Sequence, residues 1–284
     1  MGINFHDVEF KYSKKASKNI LSNINLKIKK NDEFVMIVGH TGSGKSTLVQ
    51  HMNALLLPTK GSIDIYDKTV KPKSKLKLKL VRSKIGLVFQ FPEYQLFEDT
   101  VLKDIEFGPK NFGKTKEEAK KLAKKASELI GVSEDMFEKS PFNLSGGQMR
   151  RVAIAGILAS EPEILILDEP TVGLDPKGKE NLMNLLVKLQ NETHKSIVMI
   201  THDMNAVAKY AKRVIVMNKG FVVFDGTPQE LFNNDELLER HNLSLPECGK
   251  CAKSLKEKGL IEYNNIPLTK EELLKVIMKE ESYE

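Results

Sequence analysis

Arginine is scarce in this chain: of 44 basic residues, 39 are lysine. The net charge of +6 would suit a nucleic-acid partner. Base readout and bidentate phosphate contacts favour arginine, however, so a lysine excess of this kind reads as general composition and argues against one. Long apolar runs are also missing. None approaches the ~18 residues that would span a bilayer. The start Met1-Gly2-Ile3-Asn4-Phe5-His6-Asp7 has neither the basic opening nor the apolar block of a signal peptide. His6 stands where a myristoylation site needs Ser or Thr. Together these absences predict a soluble cytoplasmic chain. Cysteine is limited to Cys248 and Cys251. Such a pair is half a zinc site or a redox pair. There is no second C-x-x-C, His241 lies seven residues upstream of Cys248, and no thioredoxin-like context surrounds the pair. The expectation is two reduced thiols at a helix start.

What is present suits one large domain with a small appendage: 284 residues, 40% of them hydrophobic. The densest basic patch is Lys71-Pro72-Lys73-Ser74-Lys75-Leu76-Lys77-Leu78-Lys79-Leu80. Its Lys/Leu alternation predicts an edge strand with lysine outward, a solvated face that discourages edge pairing. Contact with anionic lipid headgroups is the alternative.

The most informative stretch is Gly39-His40-Thr41-Gly42-Ser43-Gly44-Lys45-Ser46-Thr47. It fits the phosphate-loop pattern G-x-x-x-x-G-K-[ST]. The apolar run Phe34–Val38 precedes it as a strand, and Leu48–Asn53 continues as a helix. Glycines let backbone N–H groups curl around phosphate oxygens, and the helix N-terminus adds its positive dipole end. Lys45 would reach the β- and γ-phosphates, and the Ser46 hydroxyl would ligate Mg²⁺.

Downstream, Ile164-Leu165-Ile166-Leu167-Asp168-Glu169 sets two acids at the end of an apolar run that suits a doubly buried parallel strand. Asp168 would hold Mg²⁺ directly or through water. Glu169 is placed to polarise a water for attack on the γ-phosphorus. Leu144-Ser145-Gly146-Gly147-Gln148 opens a helical stretch, a second glycine-bearing anion reader. His202 ends the apolar run Ile197–Ile200 plus Thr201. It could donate to a γ-phosphate or cap a loop, and taken alone the cap is favoured.

This set of motifs resembles the nucleotide-binding subunit of ATP-binding-cassette (ABC) transporters, from residue 1 to about residue 232. The order is Walker A (Gly39 to Thr47), Q-loop (Gln90), the LSGGQ signature (Leu144 to Gln148), Walker B (Ile164 to Asp168), Glu169, D-loop (Gly173-Leu174-Asp175) and switch histidine (His202). The resemblance implies ATP and Mg²⁺ as cofactors, with Gln90 touching Mg²⁺ or the attacking water. It places Tyr12 where an aromatic residue stacks on adenine, worth ~1–3 kcal/mol. From the residue alone, Tyr12 reads rather as a strand aromatic packing on the core. The segment Phe91-Pro92-Glu93-Tyr94-Gln95-Leu96-Phe97 and onward to Gly113 is similar to the energy-coupling-factor branch, which imports vitamins and transition-metal ions. Gly39-His40-Thr41 and the stretch Gly147-Gln148-Met149-Arg150-Arg151-Val152-Ala153-Ile154-Ala155-Gly156 resemble the second ATPase of its vitamin-type heterodimer.

The implied fold is α/β of the P-loop NTPase type. Strands 34–38, 85–89, 164–168, 197–200 and 213–217 form a mostly parallel core sheet. Residues 3–10, 24–29, 62–66 and 221–224 form an antiparallel β-subdomain. Residues 92–160 form a helical subdomain ending in the signature, with Ala119, Leu122, Ala123, Ala126 and Leu129-Ile130 on one helix face. Residues 1–232 would be the nucleotide-binding domain. Residues 233–284 would be a C-terminal helical extension, a candidate for dimerisation, its last helix opened by a Thr269/Glu272 capping box.

In the family, Walker A and LSGGQ do not serve one nucleotide within one chain. Two chains pack head to tail, and Ser145, Gly146, Gly147 and Gln148 complete the partner's site. The expected partners are a second ABC ATPase, with a heterodimer favoured over a homodimer, a transmembrane coupling subunit and a substrate-binding membrane subunit. No nucleic acid is expected. The expected place is the cytoplasmic face of the cell membrane. The rival readings are a repair or translation ABC ATPase and a non-hydrolysing nucleotide-gated scaffold. The first would carry coiled coils or two cassettes, and Glu169 argues against the second.

Overall fold

Five short apolar runs lie side by side at the centre of the molecule, buried on both faces. The computed structural model describes residues 2–13 and 17–280. In chain order its elements are β1 (Ile3–Phe10), β2 (Leu21–Ile28), β3 (Phe34–Val38), α1 (Lys45–Met52), β4 (Lys60–Ile65), β5 (Lys68–Val70), α2 (Lys79–Lys84), β6 (Ile85–Val88), α3 (Val101–Asn111), α4 (Lys116–Ile130) and α5 (Gly146–Leu158). They continue as β7 (Ile164–Asp168), α6 (Pro176–Thr193), β8 (Ser196–Ile200), α7 (Met204–Tyr210), β9 (Arg213–Asn218), β10 (Phe221–Gly226), α8 (Pro228–Phe232), α9 (Asp235–Arg240), α10 (Glu247–Glu257) and α11 (Lys270–Glu280).

The core sheet has the order β10-β9-β3-β8-β7-β6 and is parallel from β9 to β6. Period-two alternation splits each strand between two cores. Val35, Ile37, Ile164, Ile166, Val198 and Ile200 pack toward α1 and the antiparallel sheet β2-β1-β4-β5. Phe34, Met36, Leu165, Leu167, Ile197 and Met199 pack toward the helical layer. Both faces are therefore covered, as a parallel sheet requires.

The register positions the chemistry. Ile37 pairs with Ile200 across β3–β8, and Asp168 pairs with Ile200 across β7–β8. The C-terminal ends of β3, β7 and β8 are thus level. This is the edge of an open α/β sheet where ligands bind.

Two expectations are corrected. Residues 221–224 do not join the antiparallel subdomain: β10 pairs antiparallel with β9 in the core sheet. Lys219 and Gly220 both have positive φ (48° and 86°), the requirement of a tight two-residue hairpin. The Arg213 guanidinium then grips both oxygens of Asp225 at 2.6 and 2.7 Å across the hairpin. The Lys/Leu run is not an edge strand either. Lys71–Ser74 makes a turn with Lys73 at φ 57°, the chain stays irregular, and Lys79 opens α2. Pro72 interrupts the backbone there, and β5 is the edge strand on that side of its sheet.

The helical readings hold. α4 buries Ala119, Ala123, Ala126 and Ile130 and half-buries Leu122 and Leu129. Cys248 and Cys251 are free thiols at the start of α10. Thr269 Oγ1 accepts from Glu272 N at 3.2 Å, but the Glu272 carboxylate reaches back to Leu268 N rather than to Thr269 N.

Candidate nucleotide site

The loop between β3 and α1 turns at Gly39, Gly42 and Gly44, with φ of 142°, 78° and 103°. At Gly39 a Cβ would lie 2.1 Å from the Met217 carbonyl oxygen, so only glycine fits beside β9. At Gly42 a Cβ would meet open space, leaving the outer wall of the loop bare backbone. Ser43 is fully buried and its Oγ has no protein partner. Thr41, Gly42 and Ser46 are exposed. A bare, positively biased loop at a helix N-terminus fits a polyphosphate.

Lys45 is only 6% exposed. Its ammonium donates to the carbonyls of Gly39 (2.8 Å) and His40 (3.0 Å). Burial pushes its pKa down, and the charges of Glu169 and Asp168 pull it back up. Burial likewise raises the Asp168 pKa. The hydrogen bond from Ser46 opposes that shift, and the Glu169 charge adds to it. A hydroxyl and a carboxylate already in contact form a hard-oxygen pair of the kind Mg²⁺ takes beside substrate phosphates. Gln90, the third candidate ligand, is exposed just beyond β6, in the bend before Phe91.

Glu169 follows Asp168 and adopts φ 47°, a left-handed conformation unusual for a non-glycine residue. Its N–H donates to the Ile200 carbonyl at 3.2 Å. Its carboxylate lies 2.9 Å from His202 Nε2. His202 therefore faces Glu169 rather than closing a loop. Asp203 does the capping, accepting from Asn205 N and Ala206 N at the start of α7. Glu169, Thr171, Val172, Lys179, Thr201, His202 and Asp203 line a cavity of about 300 Å³.

Tyr12 lies outside β1 and is 65% exposed, so it is not a core aromatic. Its hydroxyl meets Thr47 Oγ1 at 3.1 Å and its ring stands edge-on to Phe10. An exposed ring tethered to the phosphate loop can offer a face to a base. Ser145 caps α5, its Oγ accepting from Gln148 N while Gln148 Oε1 accepts from Ser145 N. Ser145, Gly146 and Gly147 are exposed, and Cβ atoms built on the two glycines would meet nothing. The signature is an outward-facing helix start rather than a wall of the Lys45 site.

Several residues near the site had no role assigned from the sequence. Asn218 and Gly220 of the β9–β10 hairpin buttress the phosphate loop: Asn218 Oδ1 is 2.8 Å from His40 Nε2, and Gly220 N donates to Ser43 O at 3.0 Å. Asn218 Nδ2 also meets His241 Nδ1 at 2.7 Å, linking the loop to the C-terminal segment. Arg150 on α5 is buried and holds Glu93 and the backbone of Pro170 and Val172. The sequence marked Arg150 only through the resemblance of the stretch after the signature, which says nothing of what its guanidinium holds.

A glycine loop after β3, an acid pair at the end of β7 two strands away and a glycine-bearing helix start define a P-loop ATPase of the cassette type. The ABC transporter family model matches residues 21–172. The chain is 50% identical to the energy-coupling factor transporter ATP-binding protein EcfA2 of Enterococcus faecalis, over 98% of this chain and 97% of that protein. It is 47% identical to the protein of that name from Lactococcus lactis subsp. lactis, over 97% and 96%. Among solved structures, cbiO1 of Clostridium perfringens, part of the ABC transporter complex cbiONQ, superposes with a TM-score of 0.73 at 38% identity, covering 88% of this chain and 98% of that one. The cassette MJ0796, dimeric and bound to ADP and Pi after hydrolysis, superposes with a TM-score of 0.69 at 34% identity, covering 80% and 98%. The chain belongs to the ABC transporter ATPases, in the group of energy-coupling-factor ATP-binding proteins.

Proposed function

We propose that the chain is the ATP-hydrolysing subunit of an energy-coupling-factor importer, driving uptake of vitamins or transition-metal ions through separate membrane subunits. No helix among the described residues is long and apolar enough to cross a membrane. Residues 1–232 act as the nucleotide-binding domain and residues 233–284 as a C-terminal extension that serves dimerisation. The partners are a second ABC ATPase, giving a heterodimer, a transmembrane coupling subunit and a substrate-binding membrane subunit. The complex works at the cytoplasmic face of the membrane.

The observation that carries the catalytic reading is the Glu169–His202 pair beside Asp168 and Lys45. The loop from Gly39 to Gly44 wraps the β- and γ-phosphates with backbone N–H groups, and Lys45 neutralises their charge. Tyr12 stacks on adenine, and Thr47 continues the α1 N-terminus. Ser46, Asp168 and Gln90 would hold Mg²⁺, which when bound offsets phosphate charge and orients the γ-phosphate. Glu169 takes a proton from the attacking water, and His202 holds that carboxylate in place and faces the γ-phosphate. Ser145, Gly146 and Gly147 face outward because the nucleotide that the signature through Gln148 reads belongs to the partner. ATP then glues the interface, and hydrolysis releases it. Phe91, Tyr94, Phe97 and Phe107 form exposed aromatics around the Gln90 loop, a surface suited to the membrane subunit.

Replacing Glu169 by Gln tests this reading. The amide cannot take up a proton, while Lys45 and Ser46 keep their phosphate contacts. ATP binding should persist, turnover should fall by a factor of about 100 or more, and the ATP-bound dimer should accumulate. Turnover within a few-fold of the parent would remove Glu169 from the role of base.

A further inference from the structure

Arg150 is 5% exposed, and its guanidinium makes four hydrogen bonds. Nε and Nη2 donate to the two carboxylate oxygens of Glu93 at 3.2 and 2.9 Å. Nη1 donates to the carbonyls of Pro170 at 2.8 Å and Val172 at 3.0 Å. A planar fork of this kind can hold a carboxylate with one edge and the backbone with another, which lysine cannot do.

Three segments meet at that fork. Glu93 lies in the single helical turn Pro92–Gln95, directly after Gln90 and Phe91. Arg150 lies in the first turns of α5, which Ser145 caps. Pro170 and Val172 follow Glu169, whose backbone is left-handed at φ 47°. Such a conformation persists only where the surroundings over-determine it. On one side the Ile200 carbonyl takes the Glu169 N–H at 3.2 Å. On the other, Arg150 fixes the carbonyls one and three residues onward.

We propose that Arg150 is a positioning residue for Glu169. By clamping the backbone just after the base, it sets the carboxylate where it meets His202. Through Glu93 it ties that setting to the turn beside Gln90, so a displacement of the turn reaches the base without passing through the nucleotide. Arg150 touches no reacting atom. The inference rests on the reading of Glu169 as the base.

The test uses the full-length chain in the assembly in which it hydrolyses ATP, with Glu169→Gln defining the floor for this site. Arg150→Met, Arg150→Lys and Glu93→Gln are compared for kcat, KM for ATP and binding stoichiometry of a fluorescent ATP analogue. Arg150→Met should lower kcat toward the floor by about tenfold or more, as a small misplacement of a base does. KM and stoichiometry should stay within about twofold, since the phosphate loop is untouched. Arg150→Lys should recover part of the loss by making some of the four bonds. Glu93→Gln keeps the shape and the carbonyl bonds but weakens the charged pair, and should lower kcat severalfold at unchanged KM. It carries the test if Arg150→Met fails to fold. A kcat near the parent's in either Arg150→Met or Glu93→Gln would overturn the inference, as would loss of stoichiometry in step with kcat. If Glu169→Gln itself turned over normally, the assignment of the base would be at fault rather than the clamp.

Discussion

Replacing Lys45 by Ala should weaken nucleotide binding without weakening the nucleotide-free protein. The Lys45 side chain is 6% exposed and already gives its ammonium protons to Gly39 O and His40 O at 2.8 and 3.0 Å. Its desolvation has therefore occurred before ATP arrives. On binding, it exchanges neutral carbonyls for phosphate oxygens, and a hydrogen bond between charged groups contributes roughly 1.5–3 kcal/mol. A net loss of about 2 kcal/mol corresponds to about 30-fold in Kd. The desolvation effect on folding has the opposite sign. Burial lowers the Lys45 pKa, so between its folded and unfolded values the unfolded chain binds more protons. Stability contributed by this group then rises as pH climbs from the folded pKa toward the unfolded value of about 10.4, and at neutral pH the buried cation is a cost. Alanine removes that cost and that pH dependence but also leaves the Gly39 and His40 carbonyls without their donor, so the net change in Tm at neutral pH should be small. Titrating the isolated chain with a fluorescent ATP analogue, beside thermal unfolding across pH, measures both effects. Unchanged affinity would mean that this loop is not the phosphate site. An affinity loss accompanied by a large fall in Tm would mean that Lys45 is a structural residue.

Two further substitutions separate the parts of the proposed two-chain site. Ser145→Arg removes an N-cap, costing about 1 kcal/mol of stability, and sets a bulky cation on the exposed signature. ATP binding to the same chain's Lys45 loop should survive while nucleotide-dependent dimerisation fails by size-exclusion chromatography; loss of binding in the monomer with dimers intact would refute the head-to-tail arrangement. Asp168→Asn should raise the Tm of the nucleotide-free chain at neutral pH. Burial holds the Asp168 pKa above its unfolded value, so the ionised form loses stability as pH rises from about 3.9 through the folded pKa. The same variant should lose Mg²⁺-dependent turnover, and a lower Tm would contradict the electrostatic account.

Much of the fold was legible because strand burial and hydrophobicity agree. Phe34–Val38, Ile164–Asp168 and Ser196–Ile200 are buried throughout, and a run this short without alternation, rich in β-branched residues, suits a strand covered on both faces. The Lys71–Leu80 run failed for the complementary reason. Alternation predicts a strand only where a neighbour can pair with it, and a turn at Lys71–Ser74 carries this segment away from β5. The pattern of residues 221–224 marks an extended segment but not the sheet it joins. Strand partners are set by the hairpin and by Arg213–Asp225, which are contacts rather than patterns.

The glycine loop, the acid pair and the signature were legible as motifs in the sequence alone, since the chemistry expected of them needs fixed residue types at fixed local spacing, and the structure sets the glycines at positive φ, Lys45 and Ser46 at a helix start, and Asp168 and Glu169 at a strand end. Only the tertiary structure decided how they are held. The level ends of β7 and β8 bring His202 to Glu169, the β9–β10 hairpin props the phosphate loop, and Arg150 joins residues 57 and about 20 positions away into one buried junction. No local pattern encodes these contacts, because each depends on which strands and helices become neighbours. That is settled by burying both faces of one sheet at once.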